Sequence, residues 1–269
     1  MPRTQLIDAE TRLTSASTAA LPRTDGEIAA DVAAAIAGGR LDLVLQPVVA
    51  SGSGLPVFYE CLLRMQDAAG LEMSVAEFVP AVERLGLQAG VDRQVLERSV
   101  GLLAAAPGLS VSINLSALTL VDSGWLTRLQ QLLATEASVA RRLIVEVTET
   151  AAIDDVGRAR EFVAVLQRLG VRVAIDDFGA GHTSLSALEK LRPDIVKMDG
   201  SFIAGAGGGR IDRVFVAAVV RNAAAAGMES VAEWVSDAAS AAILRDLGVT
   251  YLQGEAFGLP QPWGHWAAA

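Results

Sequence analysis

An α/β chain folded as a closed (β/α)8 barrel is what this sequence predicts, on three observations. Eight short, β-branched apolar runs alternate with longer Ala/Leu segments of helical period. The alternation fills about 240 residues, the length of one such barrel. Polar groups recur at the ends of the apolar runs, where the strands of a barrel converge on one mouth. An open doubly wound sheet is the competing architecture, but no G-x-G-x-x-G follows the first strand.

Taken in order, residues 1–25 carry Ser, Thr and Ala without periodicity and read as a flexible N-terminal arm; the barrel domain is 26–269. The strands are Leu43–Val49, Val57–Leu63, Leu109–Leu115, Leu143–Val147, Val171–Ile175, Ile195–Met198, Glu229–Ala232 and Val249–Leu252. Helices are expected over Asp92–Ala106, over Val156–Leu169 with Gly170 as its stop, and over Asp237–Leu247 before Gly248. The glycines at 205 and 207–209 precede no Gly-Lys-Ser/Thr, so this stretch is read as a floppy connection and not a phosphate loop.

Composition excludes several kinds of function. The formal net charge is −9, with 22 basic against 31 acidic residues, and no dense basic cluster is present to grip DNA or RNA. One cysteine, Cys61, rules out an internal disulfide or a cysteine zinc site. With two histidines, His182 and His265, any metal must sit on oxygens. Residues 1–25 lack the apolar core of a signal peptide, and the apolar stretches are too broken to span a bilayer. A cytoplasmic, membrane-free protein is the expectation.

The chemistry is written where charge interrupts the apolar runs. A buried parallel strand reads as continuous hydrophobics, and a carboxylate within it is costly unless paired or metal-bound. Yet Glu60, Asn114, Glu146, Asp176 with Asp177, Lys197, Glu233 and Gln253 stand at or near strand ends. Their successive spacings from Glu60 are 54, 32, 30, 21, 36 and 20, against about 31 residues per βα unit of a barrel. The 54 is read as two units. Any one of these acids alone is commonly a helix N-cap or a solvated loop residue; the series on seven segments is not. Four acidic positions converging with one lysine need further counter-charge, and hard divalent cations, Mg²⁺ or Mn²⁺, suit an all-oxygen cluster. Two cations about 3.5–4 Å apart clamp the attacking and leaving oxygens of phosphoryl displacement. Where the strand breaks at Asp176–Asp177, both carboxylates can turn toward one site. A Schiff-base role for Lys197 fits poorly, because a ring of carboxylates keeps it protonated.

The ordered motifs resemble the EAL domain, the bacterial family of cyclic di-GMP phosphodiesterases, from about Leu41 to Pro260. The motifs are Gln46-Pro47, Glu60-Cys61-Leu62 within Tyr-Glu-Cys-Leu-Leu-Arg, Asn114-Leu115-Ser116, Glu146-Val147-Thr148-Glu149, Asp176 to Gly181, Asp194 to Asp199, Val231-Ala232-Glu233 and Gln253-Gly254. The resemblance implies a TIM-type barrel with an antiparallel first strand and hydrolysis of cyclic di-GMP to linear pGpG. It implies two metal ions on Glu60, Asn114, Glu146, Asp176, Asp177 and Glu233. Lys197 then orients the nucleophilic water and offsets developing charge, and Glu233 is a general base. Gln46, Leu62, Arg64 and Gln253 fall on the substrate side, and Glu149 steadies the Asp176–Gly181 loop, a link to a homodimer. Asp199 lies beside the site.

The sequence also departs from the family pattern. Trp234-Val235-Ser236 stands for Gly-Val-Glu, Gly200 for an arginine, Met65 for a tryptophan and His182 for a tyrosine. Trp234 either stacks on guanine or crowds the metal site. Trp234 and Ser236 motivate the alternative of a catalytically inactive EAL module, a cyclic di-GMP receptor or protein-interaction domain. No second domain is recognisable, so regulation is expected through the arm, a dimer or a regulatory protein partner.

Overall fold

The computed structural model describes residues 23–180, 185–204 and 211–267. Eight strands close into a barrel in sequence order: β1 (Leu41–Ala50), β2 (Pro56–Met65), β3 (Val111–Leu115), β4 (Leu143–Thr148), β5 (Arg172–Phe178), β6 (Ile195–Met198), β7 (Glu229–Ala232) and β8 (Tyr251–Gln253). Strands β2 to β8 are mutually parallel. β1 runs antiparallel to both neighbours, pairing Gln46 with Glu60 on β2 and Val48 with Gln253 on β8. The predicted barrel and its reversed first strand are both present.

Each expected strand has its counterpart, with bounds shifted by up to three residues. The 54-residue step from Glu60 to Asn114 is a correction. No additional strand lies between β2 and β3 among the described residues; they are joined by one connection that holds two helices, Val75–Arg84 and Gln88–Ala105. The second of these starts one turn before the expected Asp92, which places Asp92 inside the helix, on its buried side. The helix Val156–Arg168 ends as predicted, with Gly170 at φ +85°. At the other end of the domain, residues 23–25 of the expected arm already belong to ordered structure. Thr24 caps the helix Asp25–Gly38 in a reciprocal capping box with Glu27. The rest of the arm, the Gly-rich stretch at 205–209 and His182 lie outside the described residues.

The core has two parts. A large apolar shell joins the outward strand faces to the helices, for example Leu45, Ile113, Val145 and Val173 against Leu96, Leu129 and Leu166. Inside the barrel lies a separate layer of Val48, Phe58, Ile144, Ala174, Ile195, Val231 and Tyr251. Phe58 and Tyr251 meet edge to face, with ring centroids 5.8 Å apart. Below this layer, Tyr251 donates its hydroxyl to Glu229 at 2.7 Å, and Glu229 pairs with Arg172. The N-terminal end of the barrel is therefore plugged, and only the C-terminal end is left for polar chemistry. Among the described residues no helix is long and apolar enough to cross a membrane.

Candidate functional site

Side chains on a strand alternate between its two faces, so the residue two places above each member of the inner apolar layer also points into the barrel. Phe58 is followed by Glu60, Ile144 by Glu146, Ala174 by Asp176, Ile195 by Lys197, Val231 by Glu233 and Tyr251 by Gln253. On the reversed β1, Gln46 stands two before Val48, and on β3 Asn114 stands two after the buried Ser112. Every strand thus delivers one polar side chain at the same height.

Lys197 is the hub of this layer. Its side chain is 1% exposed, and Nζ lies 2.6 Å from Glu146, 2.7 Å from Glu233, 3.0 Å from Asp176 and 3.3 Å from Glu60. The contact with Glu60 crosses the barrel from β6 to β2. Asn114 Nδ2 donates to Glu60 Oε1 at 2.7 Å and Gln253 Nε2 to Glu60 Oε2 at 2.7 Å. Gln253 also donates to Gln46 Oε1 at 3.2 Å, while Gln46 Nε2 is held by the Gly258 carbonyl at 3.2 Å.

Asp177 joins the cluster through a break in β5. The register with β6 shifts between Ile175 and Phe178, and Asp177 adopts φ +56°. Aspartate tolerates that left-handed conformation better than most residues. The result is that Asp176, Asp177 and Glu233 each offer a carboxylate oxygen within 4.8 Å of one another. Behind the bulge, buried Glu149 accepts a hydrogen bond from Gly179 N at 2.6 Å and so fixes the described part of the loop.

The charges do not balance. Glu60, Glu146, Asp176, Asp177 and Glu233 face one ammonium group. Burial, with Glu60 and Asp176 adding to it, raises the Glu146 carboxyl to about 8 despite Lys197. Burial and then Asp176 raise Asp177 to about 7. Burial pushes Glu233 well above the carboxylate range. For Glu60 burial is outweighed by Lys197, Gln253 and Asn114, which hold it low. Burial works against the charge on Lys197, but Asp176, Glu146, Glu233 and Glu60 hold it well above its ordinary range. Glu146 Oε1 is buried and has no hydrogen-bond partner. An all-oxygen donor set with surplus negative charge and an orphaned buried carboxylate oxygen fits hard divalent cations.

Other expected residues sit apart from this layer. Leu62 and Arg64 continue the inward face of β2 toward its end, Arg64 about 13 Å along the strand from Glu60. Arg64 pairs with Glu72 at 3.4 Å and donates to the Leu63 carbonyl. Asp199 accepts from Ser201 N at 2.8 Å. Ser236 is exposed and donates to Asp237 Oδ2 at 3.2 Å, outside the acidic cluster. Trp234 adopts φ +54° at the mouth.

Asp92 escaped the sequence reading. One of its oxygens accepts from Ser116 N (3.1 Å), Ser116 Oγ (2.6 Å) and Thr119 Oγ1 (2.6 Å), pinning the turn that follows Asn114. The available signal was a carboxylate within the buried stripe of Val91, Val95 and Leu96.

Comparison with known proteins agrees with this fold. The EAL domain family matches residues 29–260. Cyclic di-GMP phosphodiesterase PdeF of Escherichia coli (strain K12) is 34% identical over 224 residues, 82% of this chain and 30% of the relative. Cyclic di-GMP phosphodiesterase PdeB of Shewanella oneidensis is 33% identical over 239 residues, 86% of this chain and 28% of the relative. The chain therefore spans less than a third of these relatives' length. Among solved structures, the PaMucR phosphodiesterase in complex with c-di-GMP superposes with a TM-score of 0.81 at 29% identity, over 89% of this chain and 99% of that one. The FimX EAL domain from Pseudomonas aeruginosa bound to c-di-GMP gives 0.80 at 27%, over 88% and 97%.

Proposed function

The chain belongs to the EAL domain family, and from that premise we propose that it is a metal-dependent phosphodiesterase that hydrolyses cyclic di-GMP to linear pGpG. The observation that carries the proposal is the layer itself: five acidic side chains around Lys197, with Glu146 Oε1 orphaned, at the open end of the barrel. Glu60, Asn114, Glu146, Asp176, Asp177 and Glu233 would hold two Mg²⁺ or Mn²⁺ ions. When bound, such ions polarise a phosphate and lower the pKa of water.

The chain's own groups have distinct parts. Asn114 spends its amide nitrogen on Glu60, so its carbonyl oxygen is the atom left for a cation. Glu233 takes the proton of the attacking water. Its carboxylate stands 2.7 Å from Lys197 and within reach of the Asp176–Asp177 oxygens, where the reacting water would be held. Water adds in line to one phosphorus, the P–O3′ bond breaks, and a proton passes to the departing 3′ oxygen; one water is consumed and the ring opens to pGpG. Lys197, kept cationic by its neighbours, opposes the charge that develops on the phosphate. Gln46 and Gln253 define the wall between β1 and β8, and Leu62 and Arg64 extend it for the substrate, where a guanidinium suits a phosphate or a guanine edge. Residues 26–269, with residues 23–25 that cap and open their first helix, act as one unit in this reading, in a homodimer.

Purified protein with excess Mg²⁺ or Mn²⁺ is expected to convert cyclic di-GMP to pGpG, followed by chromatography, and Glu60→Ala to abolish the product. Dinucleotide binding by folded protein without product would overturn the enzyme and leave a receptor. Neither binding nor product would point to a protein-interaction domain.

A further inference from the structure

Trp234 and Gly200 stand just beyond the tops of neighbouring strands, Trp234 one residue past Glu233 on the β7 side and Gly200 one past Asp199 on the β6 side. Three non-glycine residues among those described have left-handed φ, and Trp234, at +54°, is the only aromatic one. A bulky residue holds that conformation only where its surroundings enforce it.

Two sets of contacts enforce it here. On one side the chain after the kink is fastened to β8: Val235 N donates to the Gln253 carbonyl and Ala256 N to the Val235 carbonyl, both at 3.0 Å. On the other side the indole rests directly on Gly200. A Cβ added at Gly200 would lie 2.1 Å from Cγ and Cδ2 of Trp234 and 2.6 Å from Cε3. These are atoms of a rigid ring near its attachment point, so even a methyl group at position 200 must push the ring off its seat. The ring is thereby seated on the β6 end while the backbone that follows it is tied to the β8 side, and the peptide it kinks is the one that leaves Glu233. Glu233 in turn lies 2.7 Å from Lys197 and within the Asp176–Asp177 oxygen cluster.

We propose that Trp234 is a positioning residue that holds Glu233 in the acidic cluster, and that Gly200 is the seat its indole requires. The proposal rests on reading that cluster as a cation site. It accounts for two departures from the family pattern together, since bulk lost at position 200 reappears at position 234, on the neighbouring strand end. Of the two readings open for Trp234, its contact with Gly200 favours neither crowding of the cations nor a ring held free for stacking.

The test is a cycle of Gly200→Ala, Trp234→Gly and the double variant. Mn²⁺ alone is titrated by calorimetry, and thermal unfolding is followed by circular dichroism. Gly200→Ala is expected to weaken Mn²⁺ binding at least tenfold when Trp234 is present and no more than twofold when residue 234 is glycine. Trp234→Phe, which keeps a ring on the seat, is expected to stay within threefold of wild type. Equal losses in both backgrounds, or no loss in either, would overturn the pairing. If Gly200→Ala does not fold, the double variant decides: it must fold and bind like Trp234→Gly, and its failure would overturn the proposal. Wild-type protein that takes up no Mn²⁺ would overturn the cation reading and the role given to Glu233, whereas coupling between the two positions would still register in the unfolding temperatures.

Discussion

Replacing Lys197 by methionine removes one charge, keeps an apolar stem of similar length, and tests what holds the barrel mouth together. In the wild type a single ammonium group, 1% exposed, touches four carboxylates at 2.6 to 3.3 Å. Deleting one partner of a buried ion pair costs about 3–5 kcal/mol, because an uncompensated charge stays behind. Four acids lose their partner at once here, but they respond by taking up protons. The full cost is therefore expected at pH 8, where protons are scarce, and a smaller one at pH 6. Urea unfolding of wild type and Lys197→Met in the presence of a chelator, at both pH values, measures it. Saturating Mn²⁺ is expected to restore much of the stability. Turnover is expected to stay at least about a hundredfold down, the scale of losing one electrostatic stabiliser in a dry site. A variant within about 0.5 kcal/mol of wild type at pH 8, well short of a buried pair's worth, would refute the view that Lys197 is the counter-charge of this layer.

The metal-free protein is expected to lose stability as pH rises. Glu146 at about 8 and Asp177 at about 7 bind protons in the folded state above the pH at which the unfolded chain releases them. Their contribution is complete below about pH 4 and lost as pH climbs through 7 to 8. Chemical denaturation from pH 5 to 9 should show the decline, and Mg²⁺ or Mn²⁺ should flatten it by displacing the protons. Asp92→Ala removes the shared acceptor of three hydrogen bonds; a loss of about 2–4 kcal/mol is expected in urea, with weaker Mn²⁺ binding through the turn after Asn114. Asp92→Asn, which keeps one acceptor oxygen, should lose less. Gly254→Ala sets a Cβ 2.3 Å from the backbone N and O of Val235 at φ +152°. Backbone cannot step aside as a side chain does, so a loss above about 4 kcal/mol or failure to yield soluble protein is expected.

Much of the site was legible because barrels obey a period of two. Apolar Phe58, Ile144, Ile195 and Tyr251 announce inward positions, and an inward carboxylate, lysine or amide two residues later has to sit at the mouth. Chain order and βα spacing then suffice to bring Glu60, Glu146, Asp176, Lys197 and Glu233 together. The adjacent acids were legible as a pair, but not the bulge that lets both serve one cluster: an Asp-Asp dipeptide does not say which of its members takes positive φ. The connection after β2 misled because its length comes close to two average units, and length alone does not separate an extra strand from two helices. Asp92 and the Trp234–Gly200 contact stayed hidden for a different reason. Each depends on residues from separate segments meeting at side-chain range, and neither period nor spacing carries such pairings.

The geometry also explains how departures from a family pattern coexist with an intact acidic layer. Every group that touches Lys197 lies two residues above the apolar layer, so its place is fixed by a strand's alternation and by packing beneath it. The departing residues lie farther out. Ser236 turns to Asp237, Gly200 receives an indole, and Met65 is fully buried at the end of β2. A change at the rim therefore alters what the mouth presents without moving the carboxylates, unless it acts through a backbone kink shared with one of them. Trp234 is the place where that condition is met, since its peptide is the one Glu233 leaves by. If the rim tunes what binds and the layer decides whether cations bind, Trp234 is the residue through which a change at the rim reaches the layer.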